Sequence, residues 1–489
     1  MTQQSEAFKA VTENVAALLL AVGSLSVVTC SLSNAEPAAS PLLGAAGAAA
    51  MASPQAAPPG APSATAVSAA ASVVSTNTPS NSGALAPPAP EFASFWQSVD
   101  ELSQGVRKEP VRVLWFGDSH TAADFWVAPL RQHLAQHFGV GGPGYIQIGL
   151  KAYRHGGAKV ETGGKWRTVP ARPSYFVKQQ GDGIYGISGM RTVPMDEKAW
   201  ASIALSSSEV KGPVRWQIVY RLSSPRSQFT AVLDGQVPRV VDTKAGSVRA
   251  SGLSAVSFES DASATLRLVA PQWEPEIFGV FVEASAPGVV VDTLGINGAR
   301  LETALTWSEA QFVAEVRARN PSLVVLAYGT NEIGDQLAPF RYGAQYDTLL
   351  QRLRAANPNT SCLIAGPTDR ALPDWTSDPR GAAIDQVQRE AATRNHCGFF
   401  SMRGAMGGTG AFQQWAFASP PLAHKDRVHL TIDGYTKLGE SLADYLMGTE
   451  HSGGPAQSTA AQLTAAQPTA AQPTAAQPTA AQATAPLGQ

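Results

Sequence analysis

The feature that most restricts the fold is a recurring pair, a short apolar run followed by a stretch of helical periodicity. VRVLWF (111–116) is almost continuously apolar, as a parallel strand buried on both faces is, and a helical stretch follows over about 124–138. From about residue 288 the alternation resumes, with VVVDTLGI, SLVVLAYG (322–329), CLIAGP (362–367) and GFFSM (398–402) as further strands. Helix-like stretches around 307–319, 345–356 and 383–394 separate them, and a last helix is expected over about 435–447. This alternation predicts right-handed βαβ units in a doubly wound α/β sheet.

The middle of the chain has a different period. Segments such as WQIVYRL, QFTAVLD, AVSFES and ATLRLVA alternate apolar with polar residues and are separated by Gly, Ser, Asp and Pro. That pattern predicts an antiparallel β-sandwich over 156–284. The α/β domain would then be discontinuous, formed by 91–155 and 285–449.

The two ends read as unstructured. Residues 34–90 are dominated by Ala, Pro, Ser and Gly, with too little apolar surface to offset the entropy of ordering. Residues 450–489 repeat the pentapeptide TAAQP, a period that fits no solenoid unit. Residues 1–33 resemble an export segment: the apolar stretch 15–28 suits a secretory h-region and is too short to span a bilayer comfortably. Its charged flank is weak, since Glu6 and Glu13 oppose Lys9. Cys30, in Val-Val-Thr-Cys, loosely resembles a lipoprotein box and is a candidate for lipidation, although Thr is not the usual small residue there. The competing reading is an ordinary N-terminal helix. Export, to the periplasm or cell envelope, is the expectation.

Composition excludes some partners. The 36 basic and 38 acidic side chains nearly balance, and no Lys/Arg cluster marks a phosphate-binding face, so nucleic acid is not expected. None of the three cysteines lies in a CxxC pair, so neither a structural zinc site nor another metal or cofactor is expected. Cys362 and Cys397 fall at the starts of the fourth and fifth strands of the α/β pattern. They could be bridged in an exported protein, or remain two small buried thiols.

Two motifs carry chemistry. Gly117-Asp118-Ser119-His120 follows the first strand and precedes the first helix, where doubly wound folds place ligands and helix amides lie free. Alone it is weak, because Asp and Ser are ordinary helix caps. Near the other end, Asp426-Arg427-Val428-His429 precedes the final helix, and this spacing lets the carboxylate hold the imidazole while the far ring nitrogen faces a serine. Between them, Gly298 in Gly-Ile-Asn-Gly-Ala could offer a backbone N–H, and Asn331 in Gly-Thr-Asn-Glu a side-chain amide. With the Ser119 N–H they would form an oxyanion hole, each donor contributing about 3–4 kcal/mol. Of the other histidines, His424 lacks an acid at the right spacing, and His120 is expected to point away from Ser119. Gly139 to Gly144 match GxGxxG by letter but follow a helix, and read as a turn.

These four blocks resemble the SGNH (GDSL-like) hydrolases, in which Ser, Gly, Asn and His occur in this order, here as Ser119, Gly298, Asn331 and His429. Asp426 matches the family's acid. Glu332 stands where many members carry aspartate. The resemblance covers about 100–155 and 285–448, and implies a flavodoxin-like three-layer fold and a serine esterase. The wording GDSHT, Tyr-Gly-Thr-Asn-Glu and Asp-x-Val-His-Leu-Thr is most similar to peptidoglycan O-acetylesterases, which also carry a sandwich similar to a carbohydrate-binding module between the first two blocks. The resemblance therefore implies an acetylated glycan as substrate. Transfer of acetyl, another polysaccharide, lipid esters, or a vestigial glycan-binding domain are the alternatives. Trp166, Trp200, Trp216 and Trp273 lie in the sandwich; each could stack on sugar or belong to its core.

Overall fold

The computed structural model describes residues 89–448, apart from 152, 172–181, 207–209, 223–226, 245–251, 273–274 and 336. The expectations for 1–33, for nearly all of 34–90, for Cys30, for Trp273 and for 450–489 fall outside the described residues. Among the described residues, no helix is long and apolar enough to cross a membrane.

Five parallel strands form the central sheet: β1 (Val111–Gly117), β2 (Val289–Gly295), β3 (Leu323–Ala327), β4 (Ser361–Gly366) and β5 (Gly398–Ser401). Their order is β2-β1-β3-β4-β5, the flavodoxin-like arrangement, with the chain reversing its direction of winding at β1. The period-2 alternation within each strand builds the two flanking layers. Val113 and Trp115 face helices Ala93–Ser103, Val127–Phe138 and Ile432–Met447, while Leu114 and Phe116 face helices Glu309–Arg319 and Pro339–Ala356. Every residue of β2, β3 and β4 is buried: β3 is an unbroken apolar run, whereas β2 also buries Asp292 and Thr293 and β4 buries Ser361.

Register aligns the strand ends that matter. Gly117 at the end of β1 pairs with Gly295 of β2 on one side and Ala327 of β3 on the other. The loops bearing Ser119, Gly298 and Asn331 therefore leave one edge of the sheet side by side.

Cys362 and Cys397 are joined by a disulfide, with Cα atoms 4.7 Å apart. Pairing of β4 with β5, Leu363 opposite Gly398, brings the two cysteines together, and this decides between the bridge and the free thiols.

The middle region forms two antiparallel sheets. One contains Leu253–Asp261, Pro213–Arg221, Ile277–Ala284, Met190–Pro194 and Trp166–Pro170; the other contains Ala158–Gly163, Trp200–Leu205, Thr265–Gln272, Gln228–Leu233 and Arg239–Asp242. Trp216, Phe229 and Leu266 are among the residues packed between them. Gly144–Ile146, upstream of the boundary expected at 156, also belongs here, because it pairs with Ile277–Ala284. Ionic side chains tie the sandwich to the α/β core. Arg112 of β1 donates to Glu283 of the sandwich at 2.7 and 2.9 Å, and Arg319 bridges Glu283 to the fully buried Asp292 of β2. Removing one member of such a buried set would strand its partner's charge.

Candidate active site

Ser119 opens a single helical turn, Ser119–Ala122, immediately after β1. Asp118 caps that turn by accepting the His120 N–H at 3.0 Å. As the first residue of the turn, Ser119 has a backbone N–H with no intrahelical acceptor.

Ser119 Oγ lies 3.1 Å from His429 Nε2, across 310 residues of sequence. His429 Nδ1 lies 2.8 Å from Asp426 Oδ2. The other Asp426 oxygen accepts the N–H groups of Val428 and His429 at 3.0 and 2.9 Å, so the Asp-x-x-His spacing forms an Asx-type turn ahead of the final helix. Arg427 takes a left-handed φ of 67° inside that turn. Burial pushes the Asp426 carboxyl up, but the two amides and the His429 ring outweigh it and hold it below the usual range. An ionised Asp426 fixes the proton on Nδ1 and leaves Nε2 free to accept one from Ser119.

The two other expected donors lie on the loops that follow β2 and β3. Gly298 sits in a turn closed by Ala299 N–H to Ile296 O at 2.9 Å, with a φ of 74° that an L side chain would strain. The Asn331 amide donates one hydrogen to Ala299 O at 2.8 Å, which ties the Asn331 loop to the Gly298 loop and leaves the second hydrogen for another acceptor.

Sequence reasoning marked Glu332 only as a departure from the family's aspartate that leaves the Asn331 donor untouched. Glu332 is buried, its Oε1 accepts the Leu301 N–H at 2.7 Å, and its Oε2 accepts the Gly329 N–H at 3.1 Å. Burial raises its carboxyl to about 7, although the Leu301 amide pulls it down. The change from the family's aspartate was visible in the sequence, but not the two amides it reaches. Asp118 is likewise raised, to about 6, chiefly by burial.

His120 does not point away from the site as expected. Its ring centroid lies 5.3 Å from that of His429, and its Nδ1 is 2.8 Å from the Tyr435 hydroxyl. Burial lowers its pKa to about 3, so a neutral ring stands beside His429. His424 enters through its backbone: its N–H donates to His429 O at 2.8 Å and its carbonyl accepts the Arg427 N–H at 3.4 Å.

The four tryptophans separate. Trp216 is fully buried in the sandwich core with its Nε1 on Ser260 Oγ, so it cannot serve as a sugar platform. Trp166 packs partly against that core and donates to Gly163 O at 3.0 Å. Trp200 is half-buried under the Arg267 guanidinium, 4.4 Å from its ring centroid. Among the described residues, no group of three or more His, Cys, Asp or Glu is placed to hold a metal ion.

Residues 270–437 match the GDSL-like Lipase/Acylhydrolase family. The chain thus carries a GDSL-like (SGNH) acylhydrolase domain and is a carboxylic ester hydrolase. That match includes Gly298, Asn331, Asp426 and His429 but not Ser119, which lies before the sandwich. One similar solved structure is described as a "Peptidoglycan O-acetylesterase in action, 5 min", with 25% identity, a TM-score of 0.60, and coverage of 72% of this chain and 95% of that one. An acetyl xylan esterase covers 33% of this chain and 81% of its own at 17% identity and a TM-score of 0.26. A family two carbohydrate esterase from Cellvibrio japonicus covers 59% and 99% at 10% identity and a TM-score of 0.24. No curated protein sequence matches the chain.

Proposed function

We propose that this esterase removes O-acetyl groups from peptidoglycan, with Ser119 as nucleophile, His429 as general base and Asp426 as the acid that orients it. The observation that carries this reading is the Ser119–His429–Asp426 line of contacts, 3.1 and 2.8 Å, within a chain similar over 72% of its length to a peptidoglycan O-acetylesterase. Ser119 Oγ attacks the acetyl carbonyl as His429 Nε2 takes its proton. The Ser119 and Gly298 N–H groups and the Asn331 amide receive the oxyanion. As the tetrahedral intermediate collapses, the bond to the sugar oxygen breaks and that oxygen takes the proton from His429 to leave as a hydroxyl, and a water activated by the same imidazole then cleaves the acetyl-serine.

Hydrolysis is favoured over transfer because an open, half-exposed His429 admits water, whereas a transferase must exclude it from the acyl-enzyme. The sandwich is read as an inserted module that holds the polymer, and the apolar stretch 15–28 supports export to the envelope where the polymer lies. The test is acetate release from O-acetylated peptidoglycan, compared with acetylated xylan and a long-chain ester. Preference for either of the latter would overturn the substrate assignment. Acetylated chito-oligosaccharide exceeding free acetate, with an activated acetyl donor, would overturn hydrolysis.

A further inference from the structure

A cavity of about 310 Å³ lies where the sandwich meets the loops of the site. Its walls share residues with both. Ala122, on the turn opened by Ser119, and Gly295 to Asn297, the run that ends at Gly298, line one side. Leu150, Thr168, Pro170 and Met190 line the other. The wall on the site side is tight, since a Cβ on Gly295 would come 2.2 Å from the Ala122 nitrogen. Junctions of this kind, with apolar walls and a few converging polar groups, are where small ligands bind.

The polar groups gather at the buried end. Gln147 and Ser188 are 0% and 1% exposed and bond to each other, and both reach the Tyr145 hydroxyl. Gln147 gives one amide hydrogen to Ile148 O at 3.3 Å and retains another. The buried Tyr153 hydroxyl also lines the cavity, and its proton meets no acceptor among the described residues. A buried donor left in this state costs about 1–3 kcal/mol, which an incoming acceptor would recover. None of the described lining residues carries a charge. Among the lining residues Asn297 is exposed, and Ala122, Leu150, Tyr153, Thr168 and Pro170 are half-buried, so solvent reaches the cavity.

The geometry points to a subsite for one uncharged pyranose ring, its hydroxyls on Gln147 and Tyr153 and its C–H face on Leu150 and Met190. The volume is near the lower end for ligand pockets, which suits one ring and not a chain of them. Because the wall formed by Ala122 and Asn297 adjoins Ser119 and Gly298, a ring held here would anchor a glycan close to the nucleophile. This inference rests on the reading of the substrate as an acetylated glycan, but its test does not require turnover.

Titration of the full chain with N,N′-diacetylchitobiose, followed by calorimetry and saturation-transfer NMR, should give saturable binding in the Ser119→Ala protein. No binding at about 50 mM sugar, on the order of the weakest useful affinity, would overturn the subsite. Thr168→Trp and Leu150→Trp, which fill the cavity from two sides, should each weaken that binding at least about tenfold. Melting temperature reports whether each variant has folded. Undiminished binding in either folded variant would place the sugar elsewhere and overturn the assignment. If both variants fail to fold, intermolecular NOEs from the sugar to the Met190 methyl decide, and their absence would also overturn it. Sugar binding by the Ser119→Ala protein together with no deacetylation of glycan by the wild-type enzyme would sink the proposed substrate while leaving the subsite standing.

Discussion

Glu332 Oε1 accepts the Leu301 N–H at 2.7 Å, and through this bond the loop bearing Asn331 holds the loop bearing Gly298. The Asn331–Ala299 hydrogen bond, 2.8 Å, makes the same connection from the other side. Two of the proposed oxyanion donors are thus braced against each other by one carboxylate and one amide.

Glu332→Gln keeps the shape but offers one acceptor oxygen where two amides need one each. We expect kcat on a small acetyl ester to fall about 10–100-fold with KM little changed, since the donors shift more than the binding surface does. Stability should fall by about 1–3 kcal/mol. Wild-type turnover and stability in this variant would show that the brace is dispensable.

The proposed triad should behave as a unit. Ser119→Ala and His429→Ala should abolish ester hydrolysis, and Asn331→Ala should lower kcat by about 10²–10³. Asp426→Asn should cost no more than the serine or histidine change. Residual turnover above about one per cent of wild type in purified Ser119→Ala would identify a different nucleophile.

Asp118 provides a pH test. Burial raises its carboxyl from 3.8 to about 6, so the folded state binds the proton more tightly than the unfolded chain. The stability this group contributes is fully present below about pH 4 and is lost as pH rises through about 6. An amide in its place does not titrate and has no such dependence, and its side-chain oxygen can still cap His120. Stability of Asp118→Asn relative to wild type should therefore increase by roughly 1–3 kcal/mol between about pH 4 and pH 8, measured by urea unfolding. A constant difference across that range would refute the raised carboxyl.

The Cys362–Cys397 bridge spans a sequence separation of 35. Closing a loop of that length should stabilise the fold by about 3–4 kcal/mol, and Cys362→Ser with Cys397→Ser should lose it. Equal melting temperatures with and without reductant would contradict this. The bridge lies at β4 and β5, on the far side of the sheet from β1 and β2, so small-ester kcat should change less than about twofold.

Trp216 and Trp200 separate packing from binding. Trp216→Ala empties a core position and should cost about 3–5 kcal/mol. Trp200→Ala removes a half-buried ring and should cost less than about half as much. If peptidoglycan affinity follows the Trp216 change but not the melting temperature, the core assignment fails.

The strand–helix alternation is legible in the residues alone, because burial on both faces leaves a largely apolar run and burial on one face leaves period 2. The sequence also placed Ser119, Gly298 and Asn331 just after strand ends and His429 just ahead of the last helix, since strand ends and caps are local signals, but not the two helices Met402–Met406 and Ala411–Ala416 that separate His429 from β5. The pairing of Asp426 with His429 is legible for the same reason: three residues of separation allow a single turn to join them. Tertiary structure alone decided what lay far apart in the chain. The 3.1 Å between Ser119 and His429 depends on Tyr435 and the last helix packing against the β1 side of the sheet. The disulfide depends on the register of β4 with β5, and the partners of Glu332 on two loops that meet only when β2 and β3 flank β1. The inward face of Trp216 and the turn of His120 toward His429 were set by packing of neighbours. Local sequence fixes which residues seek burial or a cap; which distant atoms they meet is fixed by sheet order and register.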